Sequence, residues 1–304
     1  ALVDNIYTTS GFKYNSATTV VNSELVFDRT IDADAPAYVN LLAPAESKPS
    51  NNFNSDATIS QGSSSADTVN FSASSSSLKK GESFKDTVQN IEAMKIDAVV
   101  MRHPSPGSSV HLTKYIKSIV INAGDGAHEH PTQAILDMMS LKEKFGKIRG
   151  LKIGIIGDIA HSRVARSNIY GLIKMGAEVM VCGSPTLIPI EIISLGVKVS
   201  YNLDEVLDWA DAINVLRIQL ERMNRGLFPS VREYRKLFGI TDERLQKHNK
   251  EIVVLHPGPM NRGVEIDSSV ADSKSAIILD QVLNGVASRM AILYLFLGGS
   301  RNES

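Results

Sequence analysis

From about residue 98 onward, apolar residues fall into short runs separated by stretches with helical spacing. Ala98–Met101, Ser118–Ile121, Lys152–Ile156, Glu178–Cys182, Ala212–Leu216 and Ile252–Leu255 read as buried strands. Val110–Ile116, Arg166–Met175, Glu205–Ala210 and Asp242–His248 read as helices between them. Gln133–Phe145 places Ile135, Leu136, Met139 and Leu141 on one side of a helix, which suits an amphipathic element. Strands that are apolar throughout, alternating with helices, predict an α/β fold with mainly parallel sheets flanked by helices. The tail, Ile277–Leu297, reads as helical with a break at Gly285. No repeat at a fixed period is evident.

The first seventy residues obey different rules. They carry Lys13, Arg29 and Lys48 against eight acidic residues, are rich in Ser, Asn, Thr and Ala, and show no helical periodicity. Such composition reads as loops or disorder, although Val39-Asn40-Leu41-Leu42 resembles a strand. A length of 304 residues suits two domains. With 43% hydrophobic and 21% charged residues the chain can bury substantial cores. A net charge of −1 gives no electrostatic case for nucleic acid or an anionic membrane surface. The single cysteine, Cys182, excludes an internal disulfide framework and a cysteine zinc cluster. No apolar run approaches a membrane span, and Ala1–Ser10 lacks the pattern of a signal peptide, so a soluble cytoplasmic protein is expected.

Open parallel sheets bind ligands beyond the carboxyl ends of their strands, and polar clusters sit at those ends here. Arg102-His103-Pro104 follows the first strand, and Gly124-Asp125-Gly126 leads to His128, His130 and Gln133 after the second. Gly157-Asp158 with His161-Ser162-Arg163, Arg217-Ile218-Gln219 and His256-Pro257-Gly258-Pro259 follow later strands. His128 and His130, separated by one glutamate, are weak as metal ligands. Gly154-Ile155-Ile156-Gly157 is half a dinucleotide fingerprint without its third glycine. Neither metal nor cofactor is expected. Cys182 suits a core position, and His256 suits a structural one. A lone strand-end arginine is ordinarily solvated or salt-bridged. Arg102, Arg163 and Arg217 together, in a chain without nucleic-acid character, favour a small polyanionic ligand.

In order and spacing, the segments Gly124–Gln133, Gly157–Ser167, Leu216–Arg222 and His256–Arg262 resemble the catalytic chains of the aspartate carbamoyltransferase family. Ser74–Glu82 matches that family's flexible loop, and the likeness runs from about Asp67 to the C-terminus. The resemblance implies two domains, 1–140 binding carbamoyl phosphate and 141–276 binding aspartate, with the C-terminal helix 277–304 returning to the first. It implies transfer of a carbamoyl group from carbamoyl phosphate to the amino group of L-aspartate, as in pyrimidine biosynthesis, with no metal. Ser50, Ser76, Arg102, His130, Gln133, Pro257, Gly258 and Pro259 would then bind carbamoyl phosphate, His130 donating toward its carbonyl oxygen. Arg163, Arg217, Gln219 and Lys80 would bind aspartate, with Arg222 beside them. Ser76 and Lys80 would reach a neighbouring subunit's site, so a homotrimer with shared active sites is implied. Regulatory or dihydroorotase-like partner chains stay open.

One segment departs from the family. Its Ser-Thr-Arg-Thr phosphate cradle is replaced by Ser50-Asn51-Asn52-Phe53. Either the natural chain carries the cradle there, or the phosphate site is weakened by roughly 2–5 kcal/mol through loss of a charged and a neutral contact. The second case favours a non-catalytic, scaffold-like homologue. Retention of Arg102, His130, Gln133, Arg163 and Arg217 argues against it. Ornithine carbamoyltransferase is the rival within the class. Its His-Cys-Leu-Pro motif is absent, and paired arginines suit a dicarboxylate better than a diamino acid.

Overall fold

The computed structural model describes residues 38–43, 58–61, 67–72, 84–218, 230–248 and 250–298. These form two compact units, one of residues up to 128 with 292–298, the other of residues 129–291.

The first unit is built on one sheet. Its strands are β1 (Tyr38–Ala43), β2 (Thr58–Gln61), β3 (Asp67–Ser72), β4 (Ala98–His103) and β5 (Ile119–Asp125), in the order β2-β3-β1-β4-β5. β4 and β5 pair in parallel, whereas β1 pairs antiparallel with β3 and β4, and β2 antiparallel with β3. Parallel pairing therefore holds only between β4 and β5 here. The link from β2 to β3 spans just residues 62–66, too short for the crossover that a parallel pair needs. Two helices, α1 (Phe84–Glu92) and α2 (Ser108–Leu112), accompany the sheet. Val88, Ile91, Val99, Met101, Leu112 and Ile116 form its core. The three strands before residue 73 lie in the stretch whose composition reads as loops. The pairing of β1 with β3 and β4 is long-range, which local composition does not record.

The second unit carries the fully parallel sheet that the apolar runs predict. Its strands are β6 (Lys152–Ile156), β7 (Glu178–Cys182), β8 (Lys198–Ser200), β9 (Ala212–Val215) and β10 (Val253–Leu255), in the order β10-β9-β6-β7-β8. Its helices are α3 (Pro131–Phe145), α4 (Arg163–Lys174), α5 (Leu203–Trp209), α6 (Val231–Phe238), α7 (Asp242–Gln246), α8 (Ser268–Ala271) and α9 (Ile278–Leu293). Strand residues alternate between two cores, as a period of two demands. Ile153, Ile155, Val179, Val181 and Ala212 pack on one face with Leu141 of α3 and Ile169 of α4. Ile156, Met180, Cys182, Ile213 and Val215 pack on the other with Val206 of α5 and Tyr234 of α6. Each such buried aliphatic side chain contributes about 1.5–3 kcal/mol.

Helix starts follow local chemistry. Ser162 Oγ accepts from Ala165 N (3.1 Å) to cap α4, and Ser230 Oγ accepts from Glu233 N (3.1 Å) to cap α6. Pro131 opens α3, and Gly146, at φ 75°, closes it. The compact units divide at residue 128/129, with α3 and α9 through Ala291 in the second. Buried amides tie these helices to its sheet: Asp137 of α3 accepts from Asn168 of α4, Asn214 of β9 and Gln281 of α9. One expectation changes: the break expected at Gly285 is absent, since α9 runs continuously to Leu293. A Cβ at 285 would stand 3.4 Å from Leu136 Cδ2 and 2.6 Å from Arg289 Nη1.

Candidate active site

In the first unit, Arg102 sits near the carboxyl end of β4. It is partly exposed, and among the described residues it forms no ion pair. Burial alone pushes its guanidinium below the ordinary value. A cation in that condition is poised for an anion. Asp125, at the end of β5, is fully buried and accepts from Gly107 N (2.7 Å) and Asn122 Nδ2 (3.1 Å). It also lies 3.0 Å from His128 Nδ1, so His128 is engaged by its own loop. Burial pushes His103 down as well, while its Nδ1 accepts from Ser105 N (3.0 Å).

In the second unit, β10, β9 and β6 are adjacent and parallel. Their carboxyl ends therefore bring the loops at 256–259, 216–218 and 157–163 to one side of the sheet. Arg163 is the first residue of α4, and Arg217 follows β9. Arg217 has a buried Nε with no hydrogen-bond partner and no ion pair among the described residues. Asp158 holds His161 through its backbone N–H (3.1 Å) and Nδ1 (2.9 Å). His130 caps the start of α3, donates its backbone N–H to Ser167 Oγ (2.8 Å), and has Thr132 Oγ1 3.3 Å from Nδ1.

Gln133 is buried and donates Nε2 to Asp137 Oδ1 (3.0 Å). Beyond β10, Gln281 Oε1 accepts the backbone N–H of His256 (2.9 Å), and His256 Nδ1 accepts that of Gly258 (2.9 Å). The ring proton of neutral His256 must then sit on Nε2, which faces buried Glu265 Oε1 at 3.4 Å. Gly258 stands at φ 65°, in the left-handed region that glycine adopts without strain, and its bond to Pro259 is cis. His256 thus has the structural role expected of it, as a brace for the 257–259 turn. Among the described residues no group of three or more His, Cys, Asp or Glu is placed to hold a metal ion. Ser50, Ser76, Lys80, Gln219 and Arg222 lie outside the described residues.

Two family models match this chain. Residues 54–143 match the carbamoyl-P binding domain of aspartate/ornithine carbamoyltransferase, and residues 149–296 match its Asp/Orn binding domain. The chain belongs to the aspartate/ornithine carbamoyltransferase family. It is 61% identical over 231 residues to the aspartate carbamoyltransferase catalytic subunit of Christiangramia forsetii, covering 76% of this chain and 74% of that one. Against the catalytic subunit of Cytophaga hutchinsonii it is 61% identical over 234 residues, covering 77% and 76%. The fold resembles aspartate transcarbamoylase from Trypanosoma cruzi in complex with N-(phosphonacetyl)-L-aspartic acid, with a TM-score of 0.65 and 29% identity. That match covers 74% of this chain and 73% of the other. Residues 1–53 lie outside both family matches.

Within this family member, several polar residues behind the site escape sequence reasoning. Asp137, Asn168, Asn214, Gln281 and Glu265 are all buried. A trace was present: Asn214 is the polar member of the strand Ala212-Ile213-Asn214-Val215, and Asp137 lies one helical turn after Gln133.

Proposed function

We propose that this chain transfers the carbamoyl group of carbamoyl phosphate to L-aspartate, giving N-carbamoyl-L-aspartate and phosphate. The observation that carries the reading is a cation in each unit, Arg102 in the first and Arg217 in the second, each partly buried and without a carboxylate partner among the described residues. Such groups are costly to leave unpaired, and anionic substrates repay that cost. The division of labour follows the resemblance: residues 1–140, with 277–304, for carbamoyl phosphate and 141–276 for aspartate. The family matches at 54–143 and 149–296 support it.

The chemistry needs position and charge. The aspartate amine attacks the carbonyl carbon, a C–N bond forms, the C–O bond to phosphate breaks, and the amine's proton passes to the departing phosphate. Arg102 neutralises the phosphate as it leaves. Thr132 Oγ1 lies 3.3 Å from His130 Nδ1; with the hydroxyl as donor, the ring proton sits on Nε2 and donates to the carbonyl oxygen as negative charge develops there. Gln133 Oε1, with the backbone carbonyls of Pro257 and Gly258, accepts from the carbamoyl amide, and Pro259 shapes that turn. Arg163 and Arg217 grip the two aspartate carboxylates bidentately, with Gln219 beside them.

Ser50, Ser76 and Lys80 enter by the family likeness. Ser50 contacts the phosphate, and Ser76 and Lys80 complete the site of a neighbouring subunit in a cytoplasmic homotrimer. Among the described residues no helix is long and apolar enough to cross a membrane. Phosphate release tests the reading. Purified protein should release phosphate from carbamoyl phosphate when aspartate is added and not when ornithine replaces it. No release from folded protein would favour the scaffold-like alternative that Asn51-Asn52-Phe53 supports.

A further inference from the structure

We propose that Asp137 is a positioning residue for carbamoyl transfer, fixing which atom Gln133 presents to the substrate and, through Gln281, holding the His256–Gly258 backbone in place. Asp137 lies in α3, and its side chain is enclosed by protein, with 1% of the residue's surface exposed. Four side-chain amides point at it. Its Oδ1 accepts from Gln133 Nε2 (3.0 Å) and Gln281 Nε2 (2.7 Å). Its Oδ2 accepts from Asn168 Nδ2 (2.7 Å) and Asn214 Nδ2 (3.1 Å).

An ionised carboxylate has about four lone-pair sites and no donor. Four N–H donors occupy them all, leaving no acceptor for a carboxyl proton. The pattern is that of the anion. Burial holds the Asp137 carboxyl above its ordinary value, and the four amides offset part of that push. Its charge in turn helps keep Arg289 of α9 protonated against burial.

An acceptor-only hub settles the polarity of every amide around it. Gln133 must turn its NH2 inward, so its Oε1 faces the opposite way. That is the atom needed to accept from a carbamoyl NH2. Gln281 must also turn its NH2 inward, which leaves Oε1 to accept the backbone N–H of His256 at 2.9 Å. His256 Nδ1 then accepts from Gly258 N at 2.9 Å, so the hold extends into the turn whose carbonyls face the amide end. The two oxygens divide the work. Oδ1 serves the two relays, and Oδ2 ties α3 to β9 and α4.

The inference rests on the reading of Gln133 and the 257–258 carbonyls as ligands of the carbamoyl amide. Asp137→Asn keeps the shape and inserts an NH2 among four N–H donors, so at least one amide must turn over or lose its bond. The KM for carbamoyl phosphate should rise about 10- to 100-fold, while the KM for aspartate at saturating carbamoyl phosphate moves less than about threefold. Asn168→Ala is the structural control. It removes a bond from the same carboxylate without touching either relay, and should lower the melting temperature but leave both KM values within about threefold. An unchanged carbamoyl phosphate KM in Asp137→Asn overturns the proposal, as does an equal rise in Asn168→Ala. Should Asp137→Asn fail to fold, Gln281→Met removes the relay to His256 together with one of the four bonds to Asp137, leaves the Gln133 bond in place, and must raise the same KM. No rise there overturns the proposal too. Gln133→Ala separates the two levels: if it leaves the carbamoyl phosphate KM unchanged, the site reading itself is wrong. A rise in Gln133→Ala without one in Asp137→Asn removes the positioning role alone.

Discussion

Replacing Arg217 by alanine gives the sharpest test of substrate choice. Arg217 follows β9, its Nε is buried without a hydrogen-bond partner, and no ion pair engages it among the described residues. The folded protein therefore loses little when the guanidinium is deleted. Stability should change by less than about 1 kcal/mol, because no hydrogen bond of Nε is broken. Substrate loses more. A charge-assisted contact to a carboxylate is worth about 1.5–3 kcal/mol. At about 1.4 kcal/mol per tenfold, kcat/KM for aspartate should fall roughly 10- to 150-fold. Arg217→Lys should recover part of this, since lysine restores the charge without the bidentate fork. The assay is phosphate release against aspartate concentration at saturating carbamoyl phosphate, alongside binding of carbamoyl phosphate alone by calorimetry. That binding should persist in both variants. An aspartate dependence unchanged in Arg217→Ala would refute the carboxylate-clamp assignment, and a large fall in melting temperature would refute the claim that this side chain has no structural partner.

Other outcomes follow from the same picture. Asn52→Arg combined with Phe53→Thr should tighten carbamoyl phosphate binding by roughly 2–5 kcal/mol, by supplying a bidentate cation and a hydroxyl; equal affinity in calorimetry would remove the cradle argument. Lys80→Ala and His130→Ala chains, each inactive alone, should regain activity when mixed, because some composite sites would be intact; verified mixed trimers without activity would count against sharing across subunits. Cys182 is buried, and burial followed by the charge of Glu205 pushes its thiol up to about 12. The native protein should resist alkylation at pH 8 and react only once unfolded. Folding raises this pKa from 9.0, so the unfolded thiol ionises first. The thiol's contribution is full below pH 9.0 and is lost as pH rises toward 12, which denaturant melts of Cys182→Ala and the parent chain can compare.

Local patterning by itself determined four of the five strands of the second sheet; β8, at Lys198–Ser200, is too short to leave such a run. The runs at 152–156 and 178–182 recur residue for residue as strands, and those near 212 and 252 come within one residue at an end. An apolar run buried on both faces is a strong, short-range record of its environment. The polar clusters at the carboxyl ends of those strands were legible for the same reason, since parallel topology puts all such ends on one side. Only the tertiary structure decided how the first sheet pairs, because strands 38–43 and 67–72 meet through long-range antiparallel register that Ser- and Asn-rich composition hides. It also decided that α3 packs within the second compact unit. Gly285 reads locally as a helix breaker, yet α9 passes through it unbroken. Asp137 shows the limit most clearly. In sequence it is one polar residue on a helix, and its partners lie 4, 31, 77 and 144 residues away. Its role depends on four amides converging on one carboxylate, and no local window of the chain contains that fact.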